Sequence, residues 1–410
     1  MKLSKNIQDT IELFKNNVNI KTTKIVKMQG QKDEVIKKLY NDINSSYTYI
    51  KLLIKKGVLS TNIIEKNKTK LLPKTSLLNS KFVPENVKEA IKLGKGYFEC
   101  NIKLYNTNIT LYILLTDKDF RNLNKYDKYI IDTITWLKIA LLYSKIKTSE
   151  LKIYLYLTDI KKKIPKNQTS ILCQDNCNTA VTTACTPNGE ILIYRKEEWF
   201  KVLIHETFHT LCLDFSGLLY RTLRSKVKSI FNIKSHYEIT ETYCEVWATI
   251  INSLFYSYNL LNDKNDIEQF IKYYEICISF EKKFSVFQCI KILDFMNLRY
   301  QDLYTTNEKR KQLKIISYRE DTNVFAYYII KMILLVHSDE FMIWCNENNL
   351  LLLSFNKTDR NLNKFFDLIN SKYKSIKVLN YINTITKFYK KIQSENKVFL
   401  NETMRMTLFS

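Results

Sequence analysis

The sequence predicts an α+β fold in which a β-rich middle region lies between two mainly helical regions. Only six Gly and four Pro occur in 410 residues, and so few helix breakers are typical of a largely helical protein. Between residues 97 and 115, however, the apolar side chains recur at every second position, which is the period of a strand. We therefore divide the chain into residues 1–95, 96–262 and 263–410.

The helical spacing of apolar residues predicts the two outer regions. Residues 34–56 show this spacing, and Pro84 marks the start of another helix within residues 1–95. In residues 263–410 the clearest apolar segment covers 325–337. Neither region contains a recognisable catalytic motif.

The middle region is predicted to contain two β-hairpins. The expected order is a hairpin over 97–115, a helix over 126–146, a strand over 151–158 and a second hairpin over 179–194. The turn of the second hairpin is Pro187-Asn188-Gly189. A helix then begins at Glu197 and Glu198, whose carboxylates complement the helix dipole, and another helix covers 237–260.

The first of these two helices carries the motif His205-Glu206-Thr207-Phe208-His209. Residues four apart lie on the same face of a helix, so both imidazoles can bind one tetrahedral zinc ion. Glu206 is rotated by about 100° from His205, which places its carboxylate beside the metal. There it can act as the general base that takes a proton from a water activated by zinc. The motif therefore predicts one Zn²⁺ per chain and a hydrolase.

The following helix offers a third ligand, which a catalytic zinc usually requires. Glu241 and Glu245 lie on one face of this helix, and the apolar residues 246–248 follow them. Two carboxylates on a buried helix are costly unless a cation meets them. We predict Glu241 as the third ligand and Glu245 as the acceptor that holds the N–H of a ligand imidazole. Asp214 is the alternative third ligand.

The motif at 205–209, together with Glu241 and Glu245 on the downstream helix, resembles the gluzincin metallopeptidases. The β-rich segment before the motif resembles the compact minigluzincin core, and the likeness covers residues 97–261. The resemblance implies a zincin-like core that consists of a small sheet, the helix with the HExxH motif at 205–209 and the helix with Glu241 and Glu245. It also implies that the protein is a zinc peptidase whose substrate is a polypeptide. It also implies that the strand at 191–194 binds the substrate backbone. The chain departs from the usual gluzincin pattern at two positions. Cys244 stands where Ala is frequent in that family, and Glu245 stands where Asp or Asn is frequent.

Four other residues are weaker candidates for the site. His236 could hydrogen-bond a transition state, although a helix N-cap or a surface position explains it better. Tyr318 and Arg319 could supply an oxyanion donor. His337 is expected to be a core or surface residue.

The net charge of +23 favours contact with nucleic acid, anionic membranes or acidic proteins. Lysine is spread along the whole chain, and no P-loop, zinc finger or RNA-binding signature accompanies it, so solvated faces explain most of the charge. The charge supports one alternative function, a basic interaction protein that binds nucleic acid or a particle and keeps a structural or degenerate zinc site. A metal-dependent amidase is a third possibility.

Cysteine usage and hydropathy suggest a cytoplasmic protein. The nine cysteines form no Cys-x-x-Cys pair, which favours reduced thiols, and a redox pair of Cys173 with Cys177 is not expected. The N-terminus lacks the apolar core of a signal peptide, and the longest uncharged run, 246–261, is too short and polar to span a bilayer. The Lys-, Asn- and Ile-rich composition resembles that of large DNA viruses and some parasites. For a viral protein, the host cytoplasm or the virion is expected.

Overall fold

The computed structural model describes residues 3–20, 26–65, 72–116, 126–217, 221–231, 233–395 and 397–409. Within them a six-stranded mixed sheet is surrounded by helices, which confirms the α+β class. The strands are β1 (Ser60–Glu65), β2 (Gly96–Leu104), β3 (Thr107–Leu115), β4 (Glu150–Thr158), β5 (Ala180–Thr182) and β6 (Asn188–Arg195). The helices are α1 (Lys5–Asn17), α2 (Val26–Lys55), α3 (Glu85–Lys92), α4 (Asp127–Tyr143), α5 (Gln174–Cys177), α6 (Trp199–Thr210), α7 (Arg221–Phe231), α8 (Thr240–Leu260), α9 (Ile267–Phe295), α10 (Glu308–Ser317), α11 (Lys331–Val336), α12 (Ser338–Asn348), α13 (Asp359–Lys372), α14 (Ile376–Ser394) and α15 (Val398–Glu402).

The sheet has the strand order β1-β2-β3-β4-β6-β5. Both predicted hairpins are confirmed, because β2 pairs antiparallel with β3, and β5 pairs antiparallel with β6. Strand β4 lies between the hairpins and is parallel to both β3 and β6. Strand β4 therefore joins the two hairpins into one continuous sheet.

Strand β1 lies within residues 1–95, which are predicted to be mainly helical, and it is not among the predicted elements. It extends the sheet by pairing antiparallel with β2, with Ile63 opposite Phe98 and Ile64 opposite Tyr97. β-branched residues such as isoleucine suit a strand. The segment is only six residues long, so it shows too few alternating positions to be recognised as a strand from its sequence alone.

The position of β6 corrects a second prediction, that residues 191–194 bind the substrate backbone. Residues 191–193 pair with β4 on one side and with β5 on the other, so the strand offers no free edge. The short strand β5 forms this end of the sheet instead.

The sheet buries both faces. Alternate residues such as Leu111, Ile153 and Ile191 enter the main core, which also contains apolar residues of α4, α6 and α8. Tyr154 and Tyr194 lie in a smaller cluster that α3 covers on the opposite face. Both α6 and α8 are almost wholly buried, and they pack against each other beneath the sheet.

The start of α6 differs from the prediction as well. The helix begins at Trp199, so Glu197 and Glu198 precede its first turn. Glu198 has a positive φ of 61°, and its carboxylate points into the protein, where it pairs with the buried Lys162. This carboxylate therefore balances a buried charge and does not serve the helix dipole.

In the part of the chain that the structure describes, no helix is long and apolar enough to cross a membrane.

Candidate metal centre

Helices α6 and α8 bring the side chains of His205, His209 and Glu241 together. Nε2 of His205 lies 3.0 Å from Oε2 of Glu241 and 3.2 Å from Nε2 of His209. Nε2 of His209 lies 3.4 Å from the same carboxylate oxygen. The three atoms form a nearly equilateral triangle, and both histidine side chains are largely buried.

The dimensions of this triangle fit a tetrahedral zinc ion. With zinc–ligand distances of about 2.0–2.1 Å, two ligands of a tetrahedral site lie about 3.3–3.4 Å apart. The observed edges of 3.0, 3.2 and 3.4 Å are close to this value. The three residues could therefore hold one zinc ion through three ligands, and a tetrahedral site would keep its fourth position open.

Carboxylates contact the outer nitrogens of both imidazoles. Oε1 of Glu245 lies 3.0 Å from Nδ1 of His205, and Oδ2 of Asp214 lies 2.6 Å from Nδ1 of His209. The contact at His209 is a hydrogen bond, and such a bond fixes the tautomer and the orientation of an imidazole so that its Nε2 points away from the carboxylate. Glu245 is thus found where the sequence places a carboxylate behind the site.

Asp214 occupies a position that does not suit its alternative role as third ligand. It faces Nδ1 of His209, whereas Nε2 of that ring faces Glu241. Together with His209 and Cys244 it forms a second group of side chains that could hold a metal ion. The 2.6 Å separation of Nδ1 and Oδ2 is a hydrogen-bond distance, however, and is well below the roughly 3.3 Å between two ligands of one zinc ion.

Two buried lysines flank Glu245, and neither is among the residues predicted for the site. Lys201 on α6 donates to Oε1 of Glu245, and Nζ of Lys331 lies 3.7 Å from Oε2. Burial lowers the pKa of Lys331 to about 8, against the opposing effect of Glu245. Burial raises the pKa of Glu245, but Lys201 and then His205 outweigh it, so this pKa lies well below its usual value. Lys201 lies one helical turn before His205.

Glu206 and Tyr327 line the cleft in front of the three ligand candidates. The cleft has a volume of about 290 Å³ and includes His205, His209 and Glu241 in its wall. Burial raises the pKa of Glu206, although the neighbouring histidines act in the opposite direction. The ring of Tyr327 lies 6.1 Å from that of His205.

Tyr327 was not predicted, and its backbone explains why it faces the cleft. It belongs to a π-helical segment, Phe325–Ile330, that leads directly into α11. An inserted residue of this kind changes the direction of side chains and is frequent at functional sites. The sequence offers no signal for it, because residues 325–337 show only the apolar pattern of a buried helix.

The structure places the remaining candidates outside the site. Tyr318 is buried and donates to Glu320, and Arg319 is exposed at the surface. His236 is mostly exposed, and its Nε2 lies 3.4 Å from Glu238. His337 is buried, with Glu340 at one nitrogen and the hydroxyl of Ser375 at the other.

A disulfide corrects the expectation that all cysteines are reduced. Cys185, which follows β5, is bonded to Cys212, which follows α6, whereas Cys173 and Cys177 are free. The backbone N–H groups of both bonded cysteines donate to the carbonyl of His209, each at 3.1 Å. The disulfide thus joins the edge of the sheet to the end of the histidine helix.

The free edge of the sheet borders the same cleft. All three residues of β5, Ala180–Thr182, contribute to the cleft wall, opposite Glu241 and Tyr327. Strand β5 pairs only with β6 among the strands of the described chain, so its other edge is open. An extended polypeptide can add to such an edge through backbone hydrogen bonds.

No family model, curated protein or solved structure matches this chain. The function of the chain is therefore inferred from the arrangement of its own residues.

Proposed function

We propose that this protein is a zinc-dependent metallopeptidase of the gluzincin type. The observation that carries the proposal is the triangle of His205 Nε2, His209 Nε2 and Glu241 Oε2, which has the size of one face of a tetrahedral zinc site. The open edge of β5 beside these atoms favours a polypeptide over other amides as the substrate.

His205, His209 and Glu241 would hold the zinc ion, with Glu245 and Asp214 fixing the two imidazoles. When bound, zinc acts as a Lewis acid and lowers the pKa of water to about 7. The carboxylate of Glu206 takes a proton from the attacking water, and the water oxygen forms a bond to the peptide carbonyl carbon. Glu206 then gives this proton to the amide nitrogen as the C–N bond breaks.

Tyr327 is the candidate donor for the oxygen of the reacting carbonyl. Its side chain faces the cleft, and burial keeps the pKa of its hydroxyl well above the usual value. The hydroxyl therefore stays protonated at neutral pH and can donate a hydrogen bond to negative charge that develops on this oxygen. The backbone of β5 would align the substrate between Tyr327 and Glu206.

Variants of the motif test this function. In Glu206→Gln we expect full zinc content and a loss of hydrolysis of at least about 100-fold, because the amide cannot accept the proton. In His205→Ala and Glu241→Ala we expect loss of zinc together with hydrolysis. Mass spectrometry of a digested peptide pool and elemental analysis of the same samples give both readouts. Wild-type hydrolysis in Glu206→Gln would sink the mechanism.

The net charge of +23 supports a second candidate, a basic interaction protein. In that case chelated, zinc-free protein should bind DNA or RNA, with an affinity that falls steeply as salt is added. The same zinc-loaded preparation should then fail to cleave any peptide in the pool.

A further inference from the structure

The segment 403–409 runs through the interior of the protein and is held by buried side chains. Its backbone carbonyls accept from Lys291, Gln288, Tyr328, Lys331 and Asn252. Its backbone N–H groups donate to the carboxylates of Glu198 and Glu281. These partners come from α8, α9, the π-helical segment and α11, and from Glu198 just before α6, so the segment has a fixed position in the core.

Met406 lies where this segment reaches the candidate active site. It lines a small cavity of about 40 Å³, together with Val202, Lys201 and Thr179. Five residues line both this cavity and the catalytic cleft, and His205, Glu206 and Tyr327 are among them. The cavity therefore adjoins the cleft on the side of Lys201 and Met406, directly beside the proposed general base.

Contacts on both sides hold the backbone of Met406. Its N–H donates to Oε1 of Glu198 at 2.5 Å, and its carbonyl accepts from Nζ of Lys331 at 2.6 Å. Its sulfur lies 3.8 Å from Nζ of Lys201. Buried charged groups therefore fix the backbone of Met406 at the wall of the cavity, and its side chain lines that wall.

We propose that this inner cavity binds the side chain of a residue that flanks the scissile bond, and that Met406 restricts this residue to a small one. The inference rests on the proposed peptidase function. A volume of 40 Å³ accommodates about one to three water molecules, so the cavity takes a side chain of one to three heavy atoms. Leucine and phenylalanine are too large for it.

The chemistry of the wall adds a preference for a hydroxyl group. The ammonium of Lys201 carries three N–H donors, and its contacts include the carboxylate of Glu245 and the thioether of Met406, which is a weak acceptor. A small side chain with an acceptor oxygen gives this ammonium a better partner than the thioether. Threonine and serine are therefore preferred over valine, which has the shape of threonine without its hydroxyl.

Cleavage and binding profiles test the proposal. Zinc-loaded protein is given a peptide pool, and the cut sites are read by mass spectrometry. Binding of matched peptides with Thr, Val, Leu or Phe at the selected position is then measured on zinc-loaded Glu206→Gln protein. We expect Thr to exceed Val, and Met406→Ala to raise the Leu-to-Thr ratio at least about tenfold in both readouts. Met406→Leu, which keeps the volume, should leave the ratio unchanged.

Val202→Ala enlarges the same cavity from α6 and replaces Met406→Ala if that variant does not fold. An unchanged Leu-to-Thr ratio in the folded, zinc-binding Ala variant would overturn the proposal, as would free acceptance of Leu and Phe at both flanking positions by the wild-type chain. A different result would contradict the proposed function alone. If Glu206→Gln protein selects peptides by size but the wild type cleaves none of them, the cavity is a binding site in a protein that is not a peptidase.

Discussion

The two histidines of the candidate metal centre are supported by different kinds of surroundings. Behind His205, Glu245 lies between two buried lysines, Lys201 and Lys331. Behind His209, Asp214 accepts hydrogen bonds from the backbone and hydroxyl of Ser216 at 3.1 and 2.6 Å. One histidine thus depends on a network of buried charges, and the other on a local turn.

The two supports also differ in how far they extend along the chain. Asp214 and Ser216 follow His209 within seven residues. The charges behind His205 come from α6, α8 and α11, and Lys331 also binds the carbonyl of Met406. We therefore expect the His205 side to couple the metal site to the stability of the whole fold, and the His209 side to affect mainly the metal.

Glu245→Ala tests the network of buried charges behind His205 and should have the largest effect on stability. It leaves Lys201 and Lys331 without their shared carboxylate, and loss of one partner of a buried ion pair costs about 3–5 kcal/mol. Zinc affinity should fall about 10–100-fold as well, because His205 loses its outer partner. Denaturant unfolding of chelated protein measures the first quantity, and competition with a zinc chelator measures the second.

Glu238→Ala is the matched control for that variant, since Glu238 lies just before the same helix. Its carboxylate pairs with Arg224 at 2.7 Å, and both side chains are partly exposed. Loss of such a pair should cost no more than about 1 kcal/mol. Equal losses of stability in the two variants would show that the buried lysines do not depend on Glu245.

Asp214→Ala tests the surroundings of His209 and should lower the zinc affinity much more than the stability of the chelated protein. Zinc affinity should again fall about 10–100-fold. The loss of stability in chelated protein should be only about 1–3 kcal/mol, since the partners left behind are hydrogen-bond donors and His209 can become neutral. A loss as large as that of Glu245→Ala would remove the distinction between the two sides.

Cys244→Ala should have the smallest effect. The thiol lies 3.6 Å from Asp214 and 3.8 Å from His209, and thiols are weak donors. We expect a change in zinc affinity of less than about threefold and a loss of stability of about 1 kcal/mol from the removed atom. A drop in zinc affinity comparable to that of Asp214→Ala would instead make Cys244 part of the metal centre.

The relative placement of two residues can be predicted from the sequence where both lie in one element or in neighbouring ones. The spacing of His205 and His209 on a helix fixes their common face, and the spacing of Glu241 and Glu245 does the same on α8. The two hairpins followed from local alternation and turn residues. In each case the geometry depends on residues that are close in sequence.

The remaining features depend on contacts between distant segments. Lys201 and Met406 are 205 residues apart, yet both line the inner cavity. Strand β5 became the free edge only because β6 pairs with β4, and Cys185 meets Cys212 because β5 lies beside α6. Tyr327 faces the cleft through a π-helical insertion. No pattern in a single sequence specifies these contacts between distant segments.

The central claim is that His205, His209 and Glu241 form one metal site, and a zinc count tests it most directly. Elemental analysis should be made on the purified full chain and on Glu241→Ala, both dialysed in parallel after exposure to zinc. We predict one zinc ion per chain in the first sample and none in the second. A wild-type chain without zinc, or an undiminished zinc content in folded Glu241→Ala, would contradict the claim.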